Sequence, residues 1–461
     1  MDSRILIIGA GSAGIAAASR LLQRGFKNVQ ILEASGRIGG RIRTVPLGQH
    51  VVELGAQWCH GERNNVVFEM ANPVGLLEGS CFSRRNILLF SDGTKALSKV
   101  TDRLKTIADQ LMHGPEIRQS VQTLGDYFIG AFKQQIKESH DLSSIDDNLV
   151  EQFITFYHNY QKGYLAIESW QNVSAANSAD YEECEGDLRM SWRGKGFECL
   201  LDLLMNNHHN LFDEKIKLNQ RVIHIVYDEE PIRVMCEHGE KYEADTLIIT
   251  IPLGVLQKRW KSLFSPELTK SKVRAIQGLH FGTVDKVFLE FDHPFWIARG
   301  NVFRLLWKQP DLEIIRASQY KWVEGVTTFF CVDSNPRVLA AWLVGAEGLQ
   351  AESLSDEEVK NGLLLILGMF FADVVIPKPI NFVRSTWGSD LNTFGAYSSR
   401  SLLTEKLGTG ATDLSEPITN SVGKPILLFA GEATSHNHWS TVHGAIETGW
   451  READRIINYC K

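Results

Sequence analysis

The chain of 461 residues is longer than one ordinary hydrophobic core supports, so two or three domains are expected. Its composition, with 44% hydrophobic, 10% aromatic and 22% charged residues, excludes a disordered, collagen-like or coiled-coil protein. The 48 basic and 55 acidic residues give a formal charge of −7, without the basic surface that is typical of nucleic-acid binding. A mildly acidic chain of this kind suits a cationic or neutral small ligand.

Seven cysteines are scattered along the chain without a CxxC pair, so the sequence predicts neither a disulfide framework nor a metal site. The longest apolar run, 363–372, falls well below the ~20 residues that a membrane span needs, and no membrane partner is expected. No signal peptide and no receptor-read signal in the final Tyr-Cys-Lys is recognised. The predicted location is therefore the cytoplasm, with reduced thiols.

The predicted elements begin with a strand, a helix and a second strand. Residues 4–8 form a β-branched run typical of a buried parallel strand, 13–22 are alanine-rich and helical, and 29–33 form the next strand. The pattern then predicts helix through most of 94–165, strands at 221–226, 233–236 and 245–250, alternating strands within 283–345, helix at 355–372, and a closing strand and helix at 426–430 and 441–459. No repeat or low-complexity linker separates these stretches, so the domains are expected to interleave.

Residues 9–14, Gly-Ala-Gly-Ser-Ala-Gly, form a GxGxxG motif between the first strand and the first helix. Such glycines allow a tight turn and a close approach of the backbone, and the helix N-terminus offers oriented N–H groups to a pyrophosphate. An acidic residue at the end of the next strand is placed to bind ribose hydroxyls and to disfavour a 2′-phosphate. The unit predicts a dinucleotide site with the candidate residues Gly9, Gly11, Ser12, Ala13, Gly14 and Glu33.

A second glycine pair, Gly39-Gly40, follows shortly after this unit and is flanked by Arg37 and Arg41. Arginine suits bidentate contact with phosphate, and a Gly-Gly pair lets the backbone lie against a flat ring system. So close to the pyrophosphate turn, this element favours FAD over NAD as the dinucleotide.

The chain resembles the flavin-containing amine oxidase family, and within it the branch of polyamine and spermine oxidases. Six ordered segments carry the resemblance, which extends from residue 5 to about residue 455. They are 9–14, the Gly-Gly-Arg element at 39–41, Val-Glu-Leu-Gly-Ala-Gln-Trp-Cys-His-Gly at 52–61, Gly-Thr-Val-Asp-Lys-Val-Phe-Leu-Glu-Phe at 282–291, Trp-Gly-Ser-Asp at 387–390, and Phe-Ala-Gly-Glu-Ala-Thr at 429–434 continued by Ser-Thr-Val-His-Gly-Ala at 440–445. Cys59 departs from the family's usual motif.

The resemblance implies an α/β fold in which a Rossmann-like FAD-binding domain is interleaved with a substrate-binding domain made of a mixed sheet and helices. The expected FAD-binding domain comprises 1–80, 190–275 and 400–461. The expected substrate-binding domain comprises 81–189 and 276–399.

The resemblance also implies FAD contacts beyond the glycine motifs. Val222 is expected to contact the adenine side, and Glu432 to lie beside the ribityl and pyrophosphate portion. A helix-capping carboxylate is the alternative interpretation of Glu432, and the two roles are compatible. The remaining expected contacts are Gly55, Ala56, Gln57, Trp58, Trp387, Gly431, Ser440, Thr441 and Val442.

Further roles follow residue by residue from the resemblance. Lys286 matches the family's lysine that holds a water at the flavin N5, although a lysine beside a strand is otherwise expected at the surface. His60 matches a histidine that lines the substrate tunnel. Glu168 matches loosely a carboxylate that anchors a distal ammonium group, and a solvated glutamate is an equal reading. Trp58 and Ser440 are the other expected substrate contacts.

Two positions distinguish the chain from monoamine oxidases. Those enzymes carry a tyrosine of an aromatic cage where this chain has Thr441, while the opposite wall is retained as Tyr397; both are counted with Lys286 and His60 as candidate catalytic residues. Monoamine oxidases attach FAD through a cysteine just before that second tyrosine. Ala396 occupies this position, so the resemblance implies non-covalent FAD.

The implied activity is oxidation of a polyamine, either spermine, spermidine or an N-acetyl derivative, to an aldehyde and a smaller amine, with O2 reduced to H2O2. Two alternatives stay open. A histone lysine demethylase-like amine oxidase shares the fold, but this chain starts directly at the flavin strand. A catalytically silent polyamine-binding protein is disfavoured by the retention of Lys286, Glu432 and the glycine motif. The preferred polyamine and the oligomeric state are not predicted.

Overall fold

The computed structural model describes residues 3–83, 86–96, 98–142, 144–178, 180–206 and 209–460. The strands are β1 (Ile5–Ile8), β2 (Val29–Leu32), β3 (Thr44–Leu47), β4 (His50–Glu53), β5 (Glu78–Gly79), β6 (Asn86–Phe90), β7 (Met190–Ser191), β8 (Ile216–Lys217), β9 (Val222–Val226), β10 (Ile232–Cys236), β11 (Lys241–Ala244), β12 (Thr246–Ile249), β13 (Phe264–Ser265), β14 (His280–Gly282), β15 (Val284–Glu290), β16 (Val302–Leu306), β17 (Thr328–Val332), β18 (Asn335–Val344), β19 (Asn381–Arg384), β20 (Tyr397–Ser399), β21 (Ile418–Thr419) and β22 (Pro425–Phe429).

The helices follow the same chain order. They are α1 (Ser12–Gln23), α2 (Val66–Ala71), α3 (Ser98–His113), α4 (Leu124–Glu138), α5 (Asp147–Leu165), α6 (Ala175–Ser178), α7 (Cys199–Leu204), α8 (His209–Lys215), α9 (Leu253–Leu263), α10 (Lys270–Gly278), α11 (Gln309–Arg316), α12 (Gly345–Glu352), α13 (Asp356–Phe370), α14 (Leu402–Lys406), α15 (Ala411–Ser415) and α16 (Val442–Tyr459).

The first main sheet has the strand order β21-β22-β12-β1-β2-β8 and is parallel apart from the edge strand β21. All four residues of β1 are buried, as expected for a strand covered on both faces. Helices α1 and α16 pack together on one face, where an added Cβ on Gly449 would lie 2.2 Å from the Ala13 carbonyl oxygen. A four-stranded sheet, β11-β10-β9-β13, contributes to the core on the other face.

The second main sheet has the strand order β19-β15-β18-β17-β16-β6. Its pairings are antiparallel except for β16 with β6, which makes it a mixed sheet. Helix α13 covers one face, and the aromatic residues of α4 and α5 build a separate core that Leu306 of β16 joins. The apolar run at 363–372 is therefore largely the buried side of α13.

The elements predicted from the sequence agree closely with these bounds. The strand predicted at 4–8 spans Ile5–Ile8, the helix predicted at 13–22 spans Ser12–Gln23, and the helix predicted at 355–372 spans Asp356–Phe370. The sequence does not predict helices α9 and α10, which begin after Pro252 and Thr269 as their N-cap residues.

The predicted division into domains stays a prediction, and we propose it with the same boundaries. Every strand of the first main sheet comes from 1–80, 190–275 or 400–461, and every strand of the second comes from 81–189 or 276–399. Within the described ranges, no helix combines the length and the apolar character needed to cross a membrane.

Candidate active site

One large cavity, of about 1280 Å³, is lined by residues of both main sheets and of the helices around them. This volume exceeds the ~300–1,000 Å³ typical of a site for one small ligand, so a dinucleotide and a substrate can share it. Every residue that the sequence placed in the site lines this cavity, with the exception of Gly14 and Glu168.

The turn between β1 and α1 forms one end of the cavity. Gly11 is the N-cap of α1 and makes no side-chain cap, so the first N–H groups of the helix are available to a ligand such as a pyrophosphate. Gly9 has φ +108°, and a Cβ on Gly14 would lie 2.0 Å from the Gly9 carbonyl oxygen. Gly14 thus supports the turn from behind instead of lining the cavity.

Glu33 is fixed in place beside this turn. One carboxylate oxygen accepts from the Ala10 backbone N–H at 2.7 Å, and the other accepts from the backbone N–H and the hydroxyl of Ser35 at 2.9 and 2.8 Å. The carboxylate is buried yet lines the cavity. This position suits the predicted bond to ribose hydroxyls.

The two arginines of the second glycine element have different environments. Arg37 donates to the carbonyl oxygens of Ile38, Gly40 and Ile42, so its guanidinium organises its own loop. Burial lowers the pKa of Arg37, and neighbouring Arg43 lowers it further. The phosphate contact that the sequence predicts for Arg37 would therefore compete with its hydrogen bonds to these three carbonyl oxygens.

Arg41 and Glu432 connect the glycine element to the C-terminal segment. Arg41 Nη1 lies 2.8 Å from Glu432 Oε1 and also donates to the Ala396 carbonyl oxygen at 2.9 Å. The second carboxylate oxygen of Glu432 accepts from the Ser398 hydroxyl at 2.5 Å and from the Ser440 backbone N–H at 2.8 Å. Glu432 therefore ties together three segments of the cavity wall.

The α16 N-terminus lies at the same wall. Thr441 is its N-cap: the hydroxyl accepts from the Gly444 backbone N–H at 3.0 Å and donates to the His438 carbonyl oxygen at 2.7 Å. Ser440 has φ +67° and donates its hydroxyl to the Ser398 carbonyl oxygen. Both hydroxyls are thus committed to shaping the wall.

Lys286 is buried in the cavity wall and does not lie at the surface. Its ammonium group donates to the carbonyl oxygens of Glu53 and Gly55 at 3.2 and 2.6 Å, and to the Gln57 side-chain oxygen at 2.8 Å. Burial lowers the pKa of Lys286 and raises that of the Glu53 carboxyl, while the mutual attraction of the two groups opposes both effects.

An aromatic cluster forms the wall beside this lysine. Trp58 makes edge or tilted contacts with Phe82, Phe330 and Trp342 at ring-centroid distances of 5.1 to 5.9 Å. Trp342 was not predicted, although it lies directly opposite Lys286 in the sheet. Tyr397 donates its hydroxyl to the Gly163 carbonyl oxygen, and burial raises its pKa.

His60 faces the same part of the cavity. Its Nδ1 lies 2.7 Å from the Leu188 carbonyl oxygen, which fixes Nδ1–H as the donor and leaves Nε2 as an acceptor. Burial lowers the pKa of His60, and the nearby Arg189 and Lys286 lower it further. The lowered pKa favours the neutral form of the ring.

Glu168 lies away from the cavity. The α5 helix ends at Leu165 with Ala166 in the left-handed conformation, and the chain then turns so that Glu168 is exposed. A Cβ on Gly345 would lie 3.2 Å from Glu168 Oε2. Its role as a substrate anchor stays a prediction, and no contact with the cavity supports it.

The fold also assembles a group of possible metal ligands that chain spacing could not show. One ligand atom each from Cys184, His438 and His443 lies within 4.8 Å of the others, and Glu447 Oε2 lies 2.8 Å from His438 Nδ1. Burial lowers the pKa of His443 to about 3, with His438 lowering it further. Nearby Cys59 is buried as well, and burial raises its pKa to about 12.

Other cavity residues escaped the sequence analysis because they come from elements far apart in the chain. They include Tyr160 and Gln161 of α5, Glu183, Arg189 and Arg304. Only Arg304 carried a local signal, since it is the single charged residue in the otherwise apolar strand Val302–Leu306.

A family model described as flavin containing amine oxidoreductase matches residues 12–457. The chain therefore belongs to the flavin-containing amine oxidoreductase family, as the sequence predicted, and the predicted fold class and FAD cofactor are confirmed with it. The open α1 N-terminus, the glycine turn and the fixed Glu33 carboxylate fit FAD independently of the family match.

Its relatives include acetylpolyamine oxidases. The peroxisomal N(1)-acetyl-spermine/spermidine oxidase of Homo sapiens is 30% identical, over 99% of this chain and 95% of that protein. A lysine-specific histone demethylase 1 homologue from Oryza sativa is 28% identical over 99% of this chain but only 57% of its own length. The resemblance to the polyamine oxidase branch is thus confirmed, although the cytoplasmic location stays a prediction.

Solved structures show the same fold at lower identity. Putrescine oxidase with bound putrescine superposes with a TM-score of 0.70, at 20% identity and with 99% of each chain covered. An engineered variant of that enzyme gives a TM-score of 0.71.

We expect FAD to be held without a covalent bond, because Ala396 provides no nucleophile at the position that resemblance marks as the attachment point. Acid or heat denaturation should release all of the flavin into the supernatant, where its absorbance is measured after the precipitated chain is removed. Flavin that stays with the washed precipitate would contradict this expectation.

Proposed function

We propose that the protein oxidises polyamines at a carbon beside a secondary nitrogen, giving an aldehyde and a smaller amine and reducing O2 to H2O2. The observation that carries the proposal is one large cavity that is lined by the glycine turn, by the aromatic wall and by Lys286, whose ammonium group donates to the Gly55 carbonyl oxygen. The similarity to acetylpolyamine oxidases over the whole chain supports the same substrate group.

The chain's own residues bind and orient both reactants in this account. Bound FAD supplies the hydride acceptor and, once reduced, the electrons that convert O2 to H2O2. The α1 N-terminus and Glu33 would hold its nucleotide portion, and Glu432 fixes the segments of the cavity wall that carry Arg41, Ser398 and Ser440. Trp58, Trp342 and Tyr397 form an aromatic setting for the reacting carbon, where desolvation orients the substrate and excludes water.

The same setting selects a neutral reacting nitrogen. Low polarity disfavours an ammonium group there, and a protonated nitrogen withdraws electrons from the carbon that loses hydride. The neutral His60 and the committed hydroxyl of Tyr397 add no anion to offset this effect.

The rate of flavin reduction should therefore rise with pH through one ionisation and then level. The ionising group is identified by stopped-flow measurement of flavin reduction at saturating spermine. The measurement is made across pH for the wild type and for Lys286→Met. The rise should persist in Lys286→Met, because it belongs to the substrate amine. A flat wild-type profile, or a rise that disappears in the variant, would contradict the neutral-amine selection.

A peptide substrate is the alternative that the rice relative raises. H2O2 formation should be compared for spermine, N1-acetylspermine and a histone-tail peptide that carries monomethyl-lysine. Turnover of the polyamines without turnover of the peptide supports the proposal, and the opposite pattern would replace it with a demethylase.

A further inference from the structure

A buried arginine that forms no ion pair within the described part of the chain lies on the cavity wall that the second main sheet provides. Arg304 of β16 is 9% exposed and lines the cavity. Its Nε is fully enclosed and has no hydrogen-bond partner, and across the described ranges its guanidinium forms no ion pair or hydrogen bond. The terminal Nη groups are the part of the side chain that stays open to the cavity.

A buried charge without a partner destabilises a fold, so it persists where the site needs it. The neighbours of Arg304 in β16 are the apolar residues Val302, Phe303, Leu305 and Leu306, all buried. An apolar residue at 304 would fit this strand at lower cost. The arginine is therefore a feature of the cavity and not of the sheet.

The register of the sheet relates Arg304 to Lys286. Lys286 lies opposite Trp342 in the sheet, and Arg304 lies opposite Thr328. Because the strands β17 and β18 are antiparallel and Phe329 pairs with Ala341, Thr328 lies opposite Trp342. These four residues form one cross-strand row, and directly opposed side chains share a face. Three strand spacings separate Lys286 from Arg304, which is ~14 Å along the row.

Aromatic rings hold the guanidinium in place. Arg304 Cζ lies 5.0 Å from the ring centroid of Tyr160 and 5.7 Å from that of Phe156. Because the guanidinium already covers these rings, they are not available to cage a substrate ammonium group. A planar guanidinium with open Nη groups is suited to a carbonyl or carboxylate oxygen.

The other charges on this wall do not neutralise Arg304. Asp109 is exposed and lies beyond ion-pair distance of the guanidinium, and Glu183 accepts from the Tyr164 hydroxyl at 3.0 Å. Lys105 and Arg189 add two further cations to the lining. A free ammonium end beside Arg304 would meet repulsion from a fixed cation.

We infer that Arg304 is a specificity residue whose guanidinium binds a hydrogen-bond acceptor, an acyl carbonyl or a carboxylate, at the end of the substrate far from the reacting carbon. This inference rests on the proposed function, because it names the substrate class of the same cavity. The site is selective for a substrate with an amine at one end and a hydrogen-bond acceptor at the other. It disfavours a substrate with a free ammonium group at the second end.

Calorimetric binding separates this inference from turnover. Anaerobic holoenzyme is titrated with three ligands of matched length: 1,8-diaminooctane, its N-acetyl derivative and 9-aminononanoate. The variants are Arg304→Gln and, as a matched control, Arg118→Gln, an exposed arginine outside the cavity lining. We expect wild type to bind at least one acceptor-ended ligand more tightly than the diamine.

Arg304→Gln should weaken binding of the acceptor-ended ligands ~10- to 100-fold, the effect of losing a charge-assisted hydrogen bond, and should leave the diamine unchanged or tighter. A stronger effect on the acetyl ligand identifies a carbonyl, and a stronger effect on the amino acid identifies a carboxylate. Arg118→Gln should change none of the three affinities.

Two results would overturn the inference. The first is that the wild-type protein binds the diamine as tightly as both other ligands. This result does not depend on whether a variant folds. The second is an Arg304→Gln variant that weakens all three ligands equally, which indicates a structural role. Failure of the proposed function is a separate outcome. In that case no polyamine reduces the flavin of the wild-type protein, while the preference for acceptor-ended ligands is still measured in the binding experiment.

Discussion

Lys286→Met is expected to retain FAD and to slow turnover by ~10²-fold, the effect typical of losing one preorganised electrostatic group. The ammonium is the cation nearest the Gly55 and Gln57 part of the wall, and it holds both groups directly. Its positive charge would stabilise the negative charge that develops when the flavin is reduced and when electrons pass to O2. Stopped-flow measurement of the reductive and oxidative half-reactions shows which of them the charge assists.

Lys272→Met is the matched control for this variant. Lys272 is also a buried lysine that donates to three carbonyl oxygens, those of Asp413, Leu414 and Glu416, and burial lowers its pKa to about 8. It lies outside the cavity lining. Its loss should lower the melting temperature without slowing either half-reaction of the folded enzyme. Equal rates of both half-reactions for wild type and Lys286→Met would show that Lys286, like Lys272, has only a structural role.

Gly14→Val should weaken FAD binding ~5- to 150-fold, which corresponds to the ~1–3 kcal/mol typical of overpacking. A side chain at 14 meets the Gly9 carbonyl oxygen at 2.0 Å, a backbone atom that can move only if the turn moves. The first turn of α1 would then shift from the position in which it can hold a pyrophosphate. The affinity is measured by titrating the apoprotein with FAD and following quenching of flavin fluorescence.

Gly130→Ala provides the control for a glycine inside a helix. Gly130 lies in α4, and an added Cβ there meets no atom within 4 Å. The substitution should leave FAD affinity unchanged and raise stability slightly, because alanine favours helix over glycine. A Gly14→Val variant with wild-type FAD affinity would show that the close contact at this turn is not needed.

The parts of the site that the sequence predicted are those built from neighbours in the chain. The glycine turn and Glu33 follow from a strand-turn-helix-strand unit whose geometry is local. Lys286 could be assigned only through resemblance, since a lysine in a strand is expected at the surface, and its burial depends on carbonyl groups of 53 and 55. Glu168 is assigned only by a loose match, and its role as a substrate anchor stays a prediction, since Glu168 follows the turn at Ala166 and does not line the cavity.

The residues that the sequence could not place are joined by sheet register. Trp342 and Arg304 share a row with Lys286 only because β18, β17 and β16 pair in one particular alignment. A shift by one residue would move each side chain to the opposite face. The group of Cys184, His438 and His443 likewise forms only when the loop before β7 meets the start of α16.

Anaerobic mixing of the purified protein with spermine, N1-acetylspermine and benzylamine tests the central claim most directly. The account predicts that a polyamine abolishes the absorbance of the oxidised flavin within the time of one turnover, and that benzylamine does not. Admission of O2 should restore the absorbance and give one H2O2 per flavin. Flavin that no polyamine reduces, or that benzylamine reduces as fast, would contradict the assignment of this chain as a polyamine oxidase.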